Sequence, residues 1–379
     1  MKYRRSHYSK GNRTGKKKRI LQFAGCLILC ALILFFCNKQ EILRSLMQIS
    51  GSGSSLDQNP QLTSREADFR LTMLDVGQGL CLLIGADGEY MLYDGGGRNY
   101  SSYVISYLKQ HGVNELQYLF ASHYDDDHIA GLIGVLRTIP VKKVILPCYE
   151  ADTEVYASFM NALSEAEADI EYAVTGHSYS FGRAVIDTLY AADGTEEKEN
   201  DRCTVLKISH GQFSCMITGD AQAETEKILL NSGISLKCSA YVVGHHGSAS
   251  SSTPDFIAAM KPEIALISVG ADNEFGHPAE RTLKTLNENH VHIFRTDTDG
   301  EIEVICNDSE YNVLTERDSR PQREAQHGDG YVLNNRTMKF HRPECEMANE
   351  IGEHNREISH ENRWTLISYG YAPCGLCAP

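Results

Sequence analysis

The fold is decided by the stretch Ser122-His123-Tyr124-Asp125-Asp126-Asp127-His128. It follows Leu116–Ala121, which is predicted to be a strand, and opens into His128–Arg137, which is predicted to be a helix. Strand ends at the carboxyl edge of a sheet are where α/β proteins place their sites. Adjacent carboxylates raise one another's pKa, whereas a divalent cation removes the repulsion and also takes imidazole ligands. The stretch therefore predicts a metal site. The alternative is a solvated acidic loop with Asp127 as the N-cap of the helix.

Three further predicted strands end in the same kinds of side chain. The residues beyond their ends are Asp94, Asp220 and the pair His245-His246, each beside glycine. Glycine allows the backbone to approach closely at such points. Together with the first stretch, these positions predict a two-metal centre at one sheet edge.

The surrounding chain alternates short strand patterns with helix patterns from residue 69 to residue 306, which indicates one α/β domain. We assign residues 69–314 to this domain, 38–68 and 315–329 to polar linkers, and 330–379 to a small terminal unit. Six cysteines in the domain are predicted to be buried free thiols, with one or two disulfides left open. They are Cys81, Cys148, Cys203, Cys215, Cys238 and Cys306.

The motif His123-x-Asp125-x-Asp127-His128 resembles the HxHxDH signature of the metallo-β-lactamase fold, with Asp in place of the second His. Four other segments make the chain similar to the ComEC-type branch of that family. They are Leu74-Asp75-Val76-Gly77-Gln78-Gly79, Thr218-Gly219-Asp220, Gly244-His245-His246-Gly247-Ser248 and Gly276-His277-Pro278. The resemblance implies an αββα sandwich. In ComEC competence proteins this module is the outward-facing part of a DNA-uptake channel.

The resemblance also implies roles for individual residues. His123 and Asp125 would bind one metal, Asp127 and His128 the other, and Asp220 would bridge the two. His245 or His246 would complete the set, and His245 is favoured. Asp94 would orient ligands from behind.

The family usually has one more histidine, between the HxHxDH signature and the bridging Asp. No such histidine is evident in this sequence. Asn200 lies in the matching stretch and is a candidate site residue. Two Zn²⁺ or Mn²⁺ ions would lower the pKa of a water, which Asp127 would orient. Ser248 and His277 are candidates for holding or protonating a phosphate ester. The sequence contains no GxSxG elbow, so a serine-nucleophile hydrolase is not suggested.

The terminal unit carries His341, Cys345, Cys374 and Cys377. These four ligands suit a closed tetrahedral zinc site, without which a unit of about 50 residues is hard to stabilise. The segment resembles the zinc-binding domain of the Ada methyl-phosphotriester repair protein, which has Cys where His341 stands, so methyl transfer is not expected. Four basic residues could help the unit to bind DNA: Arg336, Lys339, Arg342 and Arg363.

Residues 20–37 form an apolar run interrupted only by Gln22. As a helix the run would be about 27 Å long, just enough for a bilayer core. A cleaved signal peptide and a lipoprotein modified at Cys26 are the alternatives. We favour an uncleaved signal anchor, because no small-residue cleavage site follows the run. Nine basic residues in segment 1–19 would then remain cytosolic and place the rest of the chain outside.

The net charge of −14 divides unevenly along the chain. Beyond residue 19 the chain holds 27 basic and 50 acidic residues, which would repel a DNA backbone. Arg98, Arg281 and Lys284 are the candidates for a local basic track. We expect a membrane-anchored extracellular hydrolase, a ComEC-like DNase or phosphodiesterase that acts with DNA-uptake machinery. The alternatives are a phosphoesterase for a phosphocholine-decorated surface polymer and a non-catalytic DNA receptor.

Overall fold

The computed structural model describes residues 67–316 without 193, 195, 197 and 272, and residues 330–377 without 361–365 and 367–370. Several predicted segments lie outside these ranges: the basic segment 1–19, the membrane span 20–37 and most of both linkers. Of the linkers, the structure describes residues 67 and 68 of the first and residues 315 and 316 of the second. Within the described residues, none of the helices combines the length and the apolar character that a bilayer crossing requires.

An eight-stranded sheet forms one half of the main domain, in the order β15-β14-β1-β2-β3-β4-β5-β6. Strands β3 to β6 are parallel to one another, and the other neighbouring strands are antiparallel. The strands are β1 Phe69–Met73, β2 Leu82–Ala86, β3 Glu89–Tyr93, β4 Leu116–Phe120, β5 Val141–Leu146, β6 Asp169–Tyr172, β14 Ile302–Cys306 and β15 Tyr311–Thr315.

A seven-stranded sheet forms the other half, in the order β13-β12-β11-β10-β9-β8-β7. Strands β10 to β13 are parallel, and β7 to β10 run antiparallel. The strands are β7 Ser178–Phe181, β8 Ala184–Tyr190, β9 Val205–His210, β10 Phe213–Ile217, β11 Ala240–Val242, β12 Ile264–Ile267 and β13 His292–Arg295.

Seven helices accompany these strands in the described part of residues 67–316. They are α1 Ser101–Gln110, α2 Asp126–Leu136, α3 Glu154–Glu165, α4 Ala223–Asn231, α5 Pro254–Met260, α6 Glu280–Glu288 and the one-turn α7 Thr296–Asp299. Short 3₁₀ turns are Arg98–Tyr100, Glu199–Arg202 and Gly244–Gly247.

Three apolar clusters divide the main domain into layers. One cluster, with Leu71 and Ile208 among its members, lies between the facing sides of the two sheets. A second packs α1 to α3 against the outer face of the first sheet, and a third packs α4 to α6 against the outer face of the second sheet. The architecture is the expected αββα sandwich. Burial of alternating apolar side chains on both faces of a sheet explains why many of its strands are nearly continuously apolar.

Some elements differ from the sequence-based expectation. Helix α2 begins at Asp126, and its N-cap is Asp125 rather than the Asp127 considered in the alternative reading. Asp126 and Asp127 thus lie in the first turn, where negative charge is favourable. Strands β5, β6, β7, β14 and β15 were not predicted individually. Strand β6 lacks a buried apolar face, since Ile170 and Tyr172 are both exposed, so the period-2 pattern gives no signal there.

The terminal unit has a sheet of its own, with the strand order β18-β16-β17-β19. Its elements are β16 Tyr331–Asn334, β17 Lys339–His341, α8 Glu346–Asn349, a 3₁₀ turn Glu353–Asn355, β18 Arg356–Ser359 and β19 Ala372–Pro373. Two small clusters of buried apolar residues support it, one around Val332 and one around Phe340. So small a core supplies limited stabilisation, which fits the expectation of a metal ligand set there.

Candidate metal centre

Four strand ends converge at one edge of the sandwich. Asp94 follows β3, residues 122–128 follow β4, Asp220 follows β10, and the turn Gly244–Gly247 follows β11. Two of these strands belong to the first sheet and two to the second. The site is therefore assembled from both sheets, and its geometry depends on how they pack.

Close approach of α2 to the loop after β3 depends on Gly131. A Cβ at this position would lie 1.8 Å from the carbonyl oxygen of Gly95. The backbones are joined there by two hydrogen bonds, from Gly95 N to His128 O at 2.8 Å and from Gly131 N to Gly96 O at 2.8 Å. The glycines therefore allow the helix that carries Asp127 and His128 to lie directly against the loop that carries Asp94.

Asp94 organises the buried side of the centre. Its Oδ2 lies 2.7 Å from His128 Nδ1 and accepts a hydrogen bond from Ser122 Oγ at 2.6 Å. Its Oδ1 accepts one from the Ser122 amide at 2.7 Å, and Ser122 Oγ lies 2.9 Å from His123 Nδ1. With the Nδ1 atoms engaged in this way, both imidazoles direct Nε2 into the centre. This is the arrangement expected of a carboxylate that orients metal ligands from behind.

Asp127, His128 and His246 form one group of potential ligands. His246 Nε2 lies 3.3 Å from Asp127 Oδ2 and 3.3 Å from His128 Nε2. Its Nδ1 lies 2.9 Å from the Ser268 carbonyl oxygen, which fixes the ring. Three potential ligand atoms thus surround one small volume.

His123, His128 and Asp220 form a second, overlapping group. Asp125 adjoins it, with Oδ2 3.3 Å from His123 Nε2. Asp220 Oδ1 lies 3.3 Å from His128 Nε2 and 3.7 Å from His246 Nε2, so this carboxylate adjoins both groups. The position is the one that a bridging ligand would occupy.

Two buried atoms in the centre lack a hydrogen-bond partner. They are His123 Nε2 and Asp220 Oδ1. Burying such atoms without a partner is costly. Two atoms that each bind a tetrahedral ion at 2.0–2.2 Å are about 3.3 Å apart, close to the shorter separations here. The residues present therefore fit divalent metal ions.

Charge complementarity within the centre is strong. Burial by itself would lower the pKa of His128, but Asp220, Asp127 and Asp94 raise it well above its usual range. Burial by itself would raise the pKa of Asp220, but His128 and His246 hold it well below its usual range. The metal-free centre therefore holds a proton on His128 to a higher pH than a free imidazole would, and this proton must leave when a cation binds the ring.

His246 occupies the place for which the sequence favoured His245. It is buried beside Asp127 and His128, whereas His245 points toward the other side of Asp220, with Nε2 3.6 Å from Asp220 Oδ2. The two residues have left-handed backbones, with φ of 52° and 54°. Consecutive residues in this conformation direct their rings differently, which sequence spacing does not reveal.

Asn200 lies against His245 rather than against the carboxylates. Its Nδ2 is 3.2 Å from His245 Nε2. Ser248 Oγ is paired with Ser250 Oγ at 3.0 Å, and Ser250 Oγ lies 3.2 Å from His245 Nδ1. The His277 ring lies 5.5 Å from the His245 ring. These predicted site residues therefore surround His245, at the rim of the centre.

Sequence reasoning gave no role to Ser122, Ser250 or Ser268. Each of them contacts an imidazole of the centre through its hydroxyl or its carbonyl oxygen. Ser122 lies inside the motif, and its place between the strand end and His123 is the one signal that could have identified it.

The terminal unit brings together His341, Cys345, Cys374 and Cys377. Cys345 Sγ lies 3.7 Å from His341 Nδ1, near the separation of about 3.6 Å that a tetrahedral zinc gives a sulfur and a nitrogen. Backbone amides donate to sulfur on both sides, from Arg342 to Cys377 and from Leu376 to Cys374, each at 3.4 Å. Hydrogen bonds from Cys377 and His341 hold the pKa of Cys374 well below its usual range. All described cysteines are free thiols, and of the six in the main domain that were predicted to be buried, Cys148 is exposed.

Comparison with known proteins agrees with this architecture. Residues 74–152 match the family model of the metallo-beta-lactamase superfamily. The main domain has the metallo-β-lactamase fold. The match covers β2 to β5, and hence Asp94 and the whole of residues 122–128.

Three curated relatives align with this chain at 28% identity. They are ComE operon protein 3 of Bacillus subtilis (62% of this chain, 33% of the relative), Recombination protein 2 of Haemophilus influenzae (62% and 29%) and Competence protein ComA of Neisseria gonorrhoeae (63% and 32%). The chain thus spans about a third of the length of these relatives. Among solved structures, the metallo-beta-lactamase fold protein YhfI of Bacillus subtilis aligns over 65% of this chain and 100% of its own length, with 12% identity and a TM-score of 0.42.

Proposed function

We propose that the chain is a metal-dependent phosphodiesterase that hydrolyses DNA outside the cell membrane. The observation that supports the proposal is the pair of buried ligand atoms that make no hydrogen bond, His123 Nε2 and Asp220 Oδ1, at the meeting point of four strand ends. The name of one relative, which refers to competence, and that of another, which refers to recombination, support DNA as the substrate.

The proposed ligands form two overlapping sets. The first consists of His123, Asp125, Asp220 and His245, and the second of Asp127, His128, His246 and Asp220. His245 would thereby take the place of the imidazole that the sequence lacks, since its Nε2 lies 3.6 Å from Asp220 Oδ2 and its Nδ1 lies 3.2 Å from Ser250 Oγ; Asn200 Nδ2 also approaches this Nε2, at 3.2 Å. Zinc is the ion that such a mixed N and O set suits, and manganese is the other candidate.

Two bound divalent ions would supply an acidic water and polarise a phosphoryl oxygen. The chain's own residues determine where the substrate can enter. The side chains of Asp125 and Asp127 are 37% exposed, whereas those of His123 and His128 are fully buried. A phosphodiester would therefore approach from the aspartate side, where Asp127 could orient the attacking water.

The acidic surface requires local positive charge beside the centre. Arg98 is exposed and follows Gly97, where a Cβ would lie 4.0 Å from Asp127 Cα. Arg281 donates to the Ala249 carbonyl oxygen, next to Ser248. Lys284 is paired with Glu288 on α6 at 3.8 Å. Arg98 is thus the best placed of the three predicted basic residues to meet a backbone phosphate.

The terminal unit is proposed to hold one structural zinc and to offer basic side chains to DNA. Arg336 and Arg342 are exposed, and Lys339 is half-buried. Arg363 lies outside the described residues. Association with DNA-uptake machinery, the Ada-like ancestry of this unit and the anchor at residues 20–37 are parts of the same proposal.

A nuclease assay on the purified full chain tests the proposal. Cleavage of DNA in Mn²⁺ or Zn²⁺ that disappears in the His123→Ala/Asp220→Ala double variant is the expected result. Cleavage that survives the double change would contradict it, and DNA binding without cleavage in the wild type would favour a receptor instead. Protease added to intact cells should digest the main domain if it faces outward, whereas a protected domain would contradict that placement.

A further inference from the structure

Phe275 is a large apolar side chain exposed beside the metal centre. Its side chain is 70% exposed. Its ring lies over that of His277, with centroids 5.7 Å apart and planes inclined by 27°. The His277 ring lies 5.5 Å from that of His245, whose Nε2 is 3.6 Å from Asp220. A continuous line of rings thus leads from the centre to solvent.

The loop that presents Phe275 is held in place by one side chain. Asn273 Oδ1 accepts a hydrogen bond from His277 N at 2.9 Å, and Asn273 Nδ2 donates to the carbonyl oxygens of His277 and Gly270 at 2.6 and 3.0 Å. The segment is also tied to the His245-His246 turn, because Ala279 N donates to Gly247 O at 2.8 Å. The loop backbone that carries the aromatic ring is therefore held against the turn that carries His245 and His246.

We propose that Phe275 forms a stacking platform for a nucleobase next to the scissile phosphate. The inference rests on the proposed phosphodiesterase function and names the class of its substrate as nucleic acid with an unpaired base. An exposed aromatic face binds any base through its π surface and needs no positive charge. Such an attraction suits a chain whose overall charge repels polyanions.

The geometry favours a base over a choline headgroup. Quaternary ammonium ligands are held in cages of several aromatic rings. Among the described residues, His277 is the one ring recorded against Phe275, so the pair presents one flat face.

Fluorescence anisotropy of the full chain, with Mn²⁺ and at fixed salt, tests the platform. The two probes are a single-stranded thymidine oligomer and an abasic oligomer of equal length, both with phosphorothioate linkages that resist cleavage. Stacking of one base corresponds to an affinity ratio of about 5 to 150 between the probes. We expect this ratio in the wild type and in Phe275→Trp, and a ratio near one in Phe275→Leu, which keeps apolar bulk without a π face.

Tyr172→Leu is the matched control, because Tyr172 is an exposed aromatic residue on β6, outside the centre. It should keep the wild-type ratio. A ratio that is unchanged in Phe275→Leu, or that is near one in the wild type, overturns the inference, and so does displacement of the thymidine oligomer by phosphocholine at millimolar concentration. If Phe275→Leu loses the preference but the wild type does not cleave DNA, the platform stands and the phosphodiesterase proposal fails. If the wild type cleaves DNA but does not prefer the thymidine oligomer, the phosphodiesterase proposal stands and the platform fails.

Discussion

The two ligand clusters of this chain differ in composition and in exposure. The centre of the main domain combines imidazoles with carboxylates, and Asp125 and Asp127 reach solvent. The terminal cluster consists of one imidazole and three thiols, and three of its four residues are buried. Catalytic metal sites keep an open coordination position, whereas structural sites are closed. The chain therefore carries one open cluster, which is suited to catalysis, and one closed cluster, which is suited to stabilising a small fold.

The largest expected effect concerns the open cluster. Replacing Asp220 by Asn removes the carboxylate that adjoins both ligand groups, and we expect the rate of DNA cleavage to fall by more than about 100-fold, beyond what outer partners cost. Asp126→Asn is the matched control, because Asp126 is an exposed neighbour in the same stretch. Steady-state cleavage assays measure both. An equal loss of cleavage rate in the two variants would contradict the assignment of Asp220 as a metal ligand.

Mutation of the closed cluster should lower the stability of the terminal unit and leave the rate of DNA cleavage unchanged. In the Cys345→Ser/Cys374→Ser variant the terminal unit loses its metal, whose binding contributes about 10 kcal/mol or more to the folding of small zinc units. We expect metal analysis to find one ion fewer per chain, and limited proteolysis to remove residues after about 330, while DNA cleavage persists. An intact, protease-resistant terminal unit without metal would refute the structural role.

A smaller effect is expected at Asp94, which contacts imidazole rather than metal. Asp94→Asn weakens the acceptor of the His128 Nδ1 proton at 2.7 Å, so metal affinity of the open cluster should fall by about 10- to 100-fold. Competition with a fluorescent chelator measures this affinity. Restored cleavage at high Mn²⁺ would separate an orienting role from a catalytic one, and unchanged affinity would remove Asp94 from the site.

The smallest expected effect is the release of protons when metal ions bind to the open cluster. Neighbouring carboxylates raise the pKa of His128 well above its usual range and also raise that of His246, despite burial, so in the metal-free chain these imidazoles keep protons to a higher pH than a free imidazole does. Since metals bind neutral imidazole, their binding should release protons, and affinity should rise as the pH increases. Calorimetry in two buffers of different ionisation enthalpy measures the release. The terminal thiol variant serves as the sample, so that cysteine protons do not contribute, and the absence of release would contradict the assignment.

Much of the fold was predictable because the ligand residues sit at strand ends that are marked by apolar runs and glycine. The predicted strand Leu116–Ala121 is β4, one residue longer than observed, and the motif of residues 122–128 predicted a metal centre. Strands β6 and β7 were missed, since alternation of buried and exposed residues is absent in the first and covers only four residues in the second. The pattern of apolar residues in the sequence predicts a strand only where buried and exposed positions alternate over enough residues.

The centre itself was predictable as a set but not in detail. Which of His245 and His246 faces Asp127 depends on two consecutive left-handed backbones, which no residue type requires. The orienting contacts of Ser122 and Ser268 arise from tertiary packing between strand ends. Phe275 was not identified either, because a single exposed aromatic residue is ordinary in sequence and gains meaning only from its neighbours.

The most direct test of the two-cluster account is anomalous diffraction at the zinc and manganese edges from crystals of the protein. The account predicts two peaks about 3.5–4 Å apart. One should adjoin His123, Asp125 and His245, the other should adjoin Asp127, His128 and His246, and Asp220 should lie between them. A third peak should lie among His341 and the three cysteines. A single peak, or none, among the imidazoles and carboxylates at saturating metal would contradict the proposed two-metal centre.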